Sequence, residues 1–359
     1  MSIPAAFLAG RYNTENLIVL SIDCKISAQV IIMLFRQLQI FQLKPSSNYF
    51  YDQLVENLQL IKFQPCLPSI PLSSGWISPI EEADAALAEQ MNNRLMICMQ
   101  TEERILPAAV VRQELKEKIK QLEAAHGRKL GKKEKASLKD EVIMTLLPRT
   151  FSKLSRIYAY IDIKNNWLVL GTTHKKRTEQ FLSLFKKSIG ETIINFEIKK
   201  IPPIITQWID QKDYPSDFSI EKKAVLQDSN QKNRVIRCQQ QDLFVNSISE
   251  FIKDGCELKQ IALLWRDSIR FVLAEDFTLR SIRFEDELID QVKEMEAETK
   301  QQKFMADFFM MGESFSTLLQ DLLTIFAKAE ISTLTMQGNE ESSSSRGLYA
   351  EQTKLNQPF

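Results

Sequence analysis

Residues 107–148 read PAAVVRQELKEKIKQLEAAHGRKLGKKEKASLKDEVIMTLLP, two helical patterns joined by a glycine-bounded bend. Val111, Leu115, Ile119 and Leu122 recur at three- and four-residue spacing and form one apolar stripe, with Arg112, Lys116, Lys118 and Lys120 on the other faces. Pro107 stands where a first helical turn tolerates proline, and Gly127 ends the pattern. A second stripe, Leu138, Val142 and Leu146, runs in a helix from about Lys133 to Leu147 and stops at Pro148. The stretch therefore predicts a helical hairpin, and a basic one. Residues 112–156 hold 13 basic and 6 acidic side chains, a net +7, whereas residues 275–298 hold 9 acidic and 3 basic, a net −6. Because the whole chain balances at 46 of each sign, any attraction for phosphate has to come from such segregation. A charge run is also what a solvated helix face looks like, and that alternative stays open.

Outward from the hairpin, strand and helix periods alternate. Leu34, Leu38, Ile40 and Phe41 suggest a strand, and Tyr51, Leu54, Leu58 and Ile61 a helix ending near Phe63. Pro65, Pro68, Pro71 and Ser73-Ser74-Gly75 break regularity before Trp76, and Arg94 to Gln100 alternates as a strand. Beyond the hairpin, strands at 157–163 and 167–170 meet at the turn Lys164-Asn165-Asn166. A helix with Phe181, Leu184 and Phe185, a strand near 193–198 and a short helix with Trp208 follow. Strand-like runs at 235–238, 258–265, 269–273 and 279–284 precede amphipathic helices over about 286–327. The class is α+β, with a central part at 33–100, the hairpin at 101–156 and a sheet-and-helix body at 157–330. Residues 1–32 look unlike the rest, and 331–359, rich in Gly, Asn, Glu and Ser, are expected to be a disordered tail.

Several function classes lose support. Five scattered cysteines offer no disulfide or zinc framework, and His126 and His174 are the only imidazoles. Leu17 to Phe35 is broken by Asp23, Lys25 and Gln29, short of the roughly 18 apolar residues of a membrane span. No signal-peptide pattern is evident, so a cytoplasmic location is expected. Gly127 to Lys133 imitates a phosphate-binding loop but has one residue too few between its glycines, and Lys133 stands where a magnesium-binding hydroxyl belongs. Glu285, Asp286 and Glu287 could hold magnesium in a nuclease, though adjacent helical residues diverge and such acids suit a helix start. His174 reads as a loop residue. No catalytic residue, metal or cofactor is expected.

The motifs Glu102-Glu-Arg-Ile-Leu-Pro107, Gly127-Arg-Lys-Leu-Gly-Lys-Lys133, Ser137-Leu-Lys-Asp-Glu-Val142 and Leu146-Leu-Pro-Arg-Thr-Phe-Ser152 resemble the bacterial RdgC family. Gly75-Trp76, Val235-Ile-Arg237, Gln241-Asp-Leu243, Leu258 to Phe284 and Ala306-Asp-Phe308 agree in order, so the resemblance spans Met33 to about Phe326. It implies a horseshoe-shaped α+β subunit that pairs at both ends into a ring-shaped homodimer. It also implies binding of double-stranded DNA with little sequence preference, single-stranded DNA being open as a second ligand. Restraint of RecA-driven strand exchange and a nucleoid location are further implications. The basic hairpin suits the wall of such a ring, since lysine and arginine neutralise phosphates without reading bases. Arg128, Lys129, Lys132, Lys133, Lys135, Lys139 and Arg149 are accordingly the expected DNA contacts. Phe151 matches the family's Pro-Arg-x-Phe and is the candidate contact between subunits; core packing ahead of the next strand is the alternative.

The chain departs from the family in two places. Arg237-Cys-Gln-Gln-Gln241 stands where relatives carry lysines, which puts part of a basic lining in doubt. Relatives also begin near the equivalent of Met33, so residues 1–32 are expected to be an upstream reading, or else an extension outside the fold. A metal-dependent nuclease and a protein-only scaffold docking an acidic partner are the rival functions.

Overall fold

The computed structural model describes residues 35–46, 49–80, 85–190, 193–195, 201–231, 233–294 and 299–352, with no side chains described at 195, 291–294 and 327–352. The extension expected at 1–32 lies outside them. The backbone of the first sheet is a pair of 11-residue strands, β4 (Arg94–Arg104) and β5 (Ser152–Asp162), in register from Arg94↔Asp162 to Arg104↔Ser152. Both outrun the strands expected from alternation, because Thr101–Arg104 and Ser152–Arg156 are mostly polar and the ladders they make, with each other and between β2 and Thr101–Glu103, mark them as strand. β1 (Gln39–Leu43), β2 (Leu72–Ile77), β3 (Ala88–Met91), β6 (Trp167–Leu170) and β7 (Ile193–Asn195) complete an antiparallel sheet ordered β2-β4-β5-β6-β1-β7, with β3 also beside β4.

Strand alternation sends Leu95, Ile97, Met99, Ala159 and Ile161 to one face. There α1 (Tyr51–Gln59) and α4 (Lys175–Ile189) cover them with Leu54, Leu58, Phe181 and Phe185. Trp76 lies edge-on to Phe181 at 5.4 Å, and its indole N–H donates to Ser188 Oγ at 2.7 Å, so neither its apolar area nor its polar atom is wasted. Gly75, just before it, passes so close to the Phe63 backbone that a Cβ would lie 2.4 Å from Phe63 Cα. The other face takes α8 (Lys300–Gln352). Phe308 packs on Tyr160, and the buried Arg94 guanidinium reaches Glu313 at 2.7 Å, Ser316 Oγ at 3.2 Å and Asp162 at 3.7 Å.

The second sheet, ordered β12-β11-β10-β8-β9, is also antiparallel. Its strands are β8 (Phe218–Asp228), β9 (Val235–Gln239), β10 (Cys256–Trp265), β11 (Ile269–Ala274) and β12 (Leu279–Phe284). One face packs on α5 (Ile201–Gln211), α6 (Asn246–Lys253) and α8, through Trp208, Phe277 and Phe326. The two sheets meet where Leu38 and Leu279 exchange backbone hydrogen bonds of 2.8 and 3.1 Å. Helix α7 (Asp286–Glu294) follows β12. α8 is helical through Gln352, where composition had suggested disorder from residue 331; no proline interrupts residues 300–352.

Candidate nucleic-acid interface

The hairpin is inserted between β4 and β5, so the longest strand pair of the first sheet carries it. α2 (Ala108–His126) ends on Gly127 in the left-handed conformation (φ +63°), and α3 (Lys132–Leu146) starts after Gly131. Val111, Leu138 and Val142 are buried, and Leu115, Ile119 and Leu122 are half-buried along the predicted stripe. At the root, Ile105 N–H donates to Phe151 O at 2.8 Å, extending the ladder one step past Arg104↔Ser152. Arg104 braces the same place, donating to the carbonyls of Thr150 at 3.3 Å and Cys66 at 3.4 Å.

The bend is tied by two carboxylates. Glu134 takes a two-point hydrogen bond from Arg128, Nη2 to Oε1 at 2.7 Å and Nη1 to Oε2 at 3.0 Å, and accepts the Gly131 N–H at 2.7 Å. Glu123 accepts the Leu130 N–H at 3.0 Å and faces Lys135 Nζ at 3.4 Å. The Arg128 bond, then the Gly131 N–H, hold the Glu134 carboxyl at about 2, well below its usual range. The Leu130 N–H lowers Glu123 in the same way. Farther along, Lys118 pairs with Glu141 at 3.0 Å.

The expected contacts therefore divide. Arg128 and Lys135 are ion-paired within the hairpin. Lys129, Lys132, Lys133, Lys139 and Arg149 are exposed and make no ion pair among the described residues. The bend brings Lys129, Lys132 and Lys133 together, and Lys139 lies two turns along α3. Arg149 sits in the 3-10 turn Leu147–Arg149 at the opposite end, roughly 22 Å away along a 15-residue helix.

Phe151 is 87% exposed, which overturns the core-packing alternative. It stands just before β5, at the root of the hairpin. Together with Ile105, Leu106, Pro107, Val110, Leu146, Arg149 and Thr150 it lines a cleft of about 330 Å³. Leu67, Ile70, Leu72 and Leu154, on segments paired with or preceding the same strand ends, are also exposed.

A second basic surface lies on the other sheet. Ile220, Glu221, Lys222, Lys223, Gln239, Gln240 and Arg270 line an open depression of about 770 Å³. Gln239 and Gln240 of the Arg237–Gln241 run are there, and Lys222 and Lys223 of β8 stand beside them. Sequence reasoning missed this pair together with the whole of β8; the adjacent lysines interrupt its alternation, and bulges displace its pairing with β10. Arg270 is held by Glu285 and by Glu221 at 3.5 Å, so Glu285 neutralises an arginine. Asp286 and Glu287 lie in the first turn of α7, and no three His, Cys, Asp or Glu among the described residues group as a metal site. His174 is exposed at the start of α4. The Gly127–Lys133 bend joins two helices rather than a strand and a helix.

No helix among the described residues is long and apolar enough to cross a membrane. Residues 33–329 match the protein family described as "Putative exonuclease, RdgC". The chain is 35% identical over 295 residues to the recombination-associated protein RdgC of Yersinia pestis and of Yersinia pseudotuberculosis, covering 80% of this chain and 96% of each relative. Its counterpart in Yersinia enterocolitica matches to the same extent. The match takes in both sheets, the basic hairpin with its exposed Phe151, and α8 as far as residue 329, and the chain belongs to the RdgC family.

Proposed function

We propose that this protein binds double-stranded DNA without regard to sequence, as a homodimer closed into a ring, and so restrains RecA-driven strand exchange at the nucleoid. The observation that carries the reading is the set Lys129, Lys132, Lys133 and Lys139, exposed on one hairpin and making no ion pair among the described residues. Such side chains neutralise phosphates and carry no base code, which makes binding salt-dependent and sequence-tolerant, and single strands are held through the same contacts. Arg149 at the far end of α3 and Lys222 and Lys223 on the second sheet are further exposed cations that phosphates can meet. Closure into a dimer needs a self-complementary patch, and the exposed Phe151 with the largely apolar cleft of which it forms one wall can serve as one.

The test is native mass and fluorescence anisotropy with a random-sequence duplex at low salt, followed by a RecA strand-exchange reaction with increasing protein. Two subunits per duplex and a rate that falls with coverage are expected. Free duplex at low salt overturns DNA binding and favours the protein-only scaffold. The family description names an exonuclease, so labelled duplex is also incubated with magnesium or manganese. Cleavage in proportion to protein favours the nuclease.

A further inference from the structure

We infer that Glu134 is a built-in competitor for the DNA phosphate at the hairpin bend: duplex binds there by displacing the Glu134 carboxylate from Arg128 and the Gly131 N–H. The inference rests on the hairpin being a DNA surface. A carboxylate held by two parallel guanidinium N–H donors and one backbone N–H at 2.7–3.0 Å occupies the arrangement by which proteins take a phosphate. The pair is open to solvent, with the Arg128 and Glu134 side chains 58% and 45% exposed, and exposed ion pairs contribute little, so an incoming phosphate can replace Glu134 at small cost. Lys129, Lys132 and Lys133, on either side of the seat, draw the phosphate backbone to it. In the free protein Arg128 is thus spoken for, and the bend presents less positive charge than its composition suggests. The internal carboxylate sets how tightly the protein holds DNA.

Three variants test this by anisotropy across a salt series on a random duplex. Glu134→Gln frees Arg128 while its amide oxygen still accepts the Gly131 N–H, and is expected to bind a few-fold tighter, about the contribution of one exposed ion pair that no longer has to be displaced. Its salt slope is expected to steepen by about 0.9 per subunit. Arg128→Gln leaves Glu134 facing the phosphates and binds more weakly. The double variant returns near the parent protein, having lost both ligand and competitor. If Glu134→Gln instead weakens binding as Arg128→Gln does, with helicity by circular dichroism unchanged and no recovery in the double variant, Glu134 only staples the bend and the inference falls. In the parent protein, saturating duplex is expected to shift the Gly131 amide resonance; an unmoved resonance also overturns exchange. Lys132→Gln with Lys133→Gln separates the two levels. Weaker binding there with no effect of Glu134→Gln refutes the competitor alone, and no effect of either removes the hairpin as a DNA surface.

Discussion

Replacing Lys129, Lys132, Lys133 and Lys139 together by glutamine is the sharpest test of the proposed DNA binding, because these four are exposed at the bend and on α3 and make no ion pair among the described residues. Each phosphate neutralised on duplex DNA contributes about 0.9 to the salt slope, so four free lysines account for a slope of about 3.6 per subunit. Over a rise from about 50 to 200 mM salt that slope is worth roughly a 150-fold change in affinity, and twice the slope if both hairpins of a dimer engage one duplex. Counting Arg128 and Lys135 as well raises the parent figure to about 5.4, so the slope that remains in the variant reports what the retained cations, these two among them, contribute. All four lysines are exposed, and surface changes of this kind usually shift stability by no more than about 0.5 kcal/mol. The assay is anisotropy of several unrelated labelled duplexes across a salt series, with thermal unfolding as control. Weaker binding to every sequence, with the slope reduced as stated, is expected. An unchanged slope, or a loss confined to some sequences, refutes phosphate-only contact by the hairpin.

Phe151→Asp places a charge where we propose that two copies meet. Withdrawing one phenylalanine from each side costs about 1.5–3 kcal/mol per copy, or roughly 10²–10⁴ in the dissociation constant of that contact; an unchanged sedimentation coefficient counts against it. Gly75→Ala forces a methyl group to 2.4 Å from Phe63 Cα and 2.5 Å from Phe63 N, backbone that cannot swing aside. It should lower unfolding free energy by about 1–3 kcal/mol, and an unshifted denaturation midpoint would contradict the close approach. The bend is also pH-sensitive. The Glu134 carboxyl is depressed from 4.5 to about 2 on folding, so what it adds to the bend is complete above 4.5 and is lost as pH falls from there through about 2. Carbon-detected titration should place its midpoint near 2, and Arg128→Gln should move it up toward 4.5.

Where periodicity and punctuation coincide, the fold was legible. Gly127 and Pro148 bracket stripes of period 3.6, and the hairpin bounds fell within a residue or so of α2 and α3. Legibility failed where strands owe their state to a partner. Thr101–Arg104 and Ser152–Arg156 have no apolar alternation, and they are strand because each completes the other's ladder. β8 hid for a related reason: Lys222-Lys223 breaks the period of two, and the bulges opposite β10 that accommodate the break leave no mark on composition. Phe151 was undecidable, since exposure depends on which element covers the strand end, a long-range fact.

Charge shows the same divide in its clearest form. A count gives residues 112–156 a net +7, and that number is right whatever the fold. Availability is another matter. Glu123, Glu134 and Glu141, three of the six acids counted there, are paired with Lys135, Arg128 and Lys118, each a pairing across the two helices or their bend. Cations and acids thus cancel in pairs at fixed places, and the net charge survives on the cations that make no ion pair among the described residues, including Lys129, Lys132, Lys133 and Lys139 at the bend and on α3 together with Arg112, Lys116 and Lys120 on α2. Removing a paired cation uncovers a carboxylate, whereas removing a free lysine subtracts only a phosphate contact. Arg128→Gln should therefore weaken duplex binding more than Lys132→Gln although each removes one unit of charge, an inequality that net charge alone cannot produce.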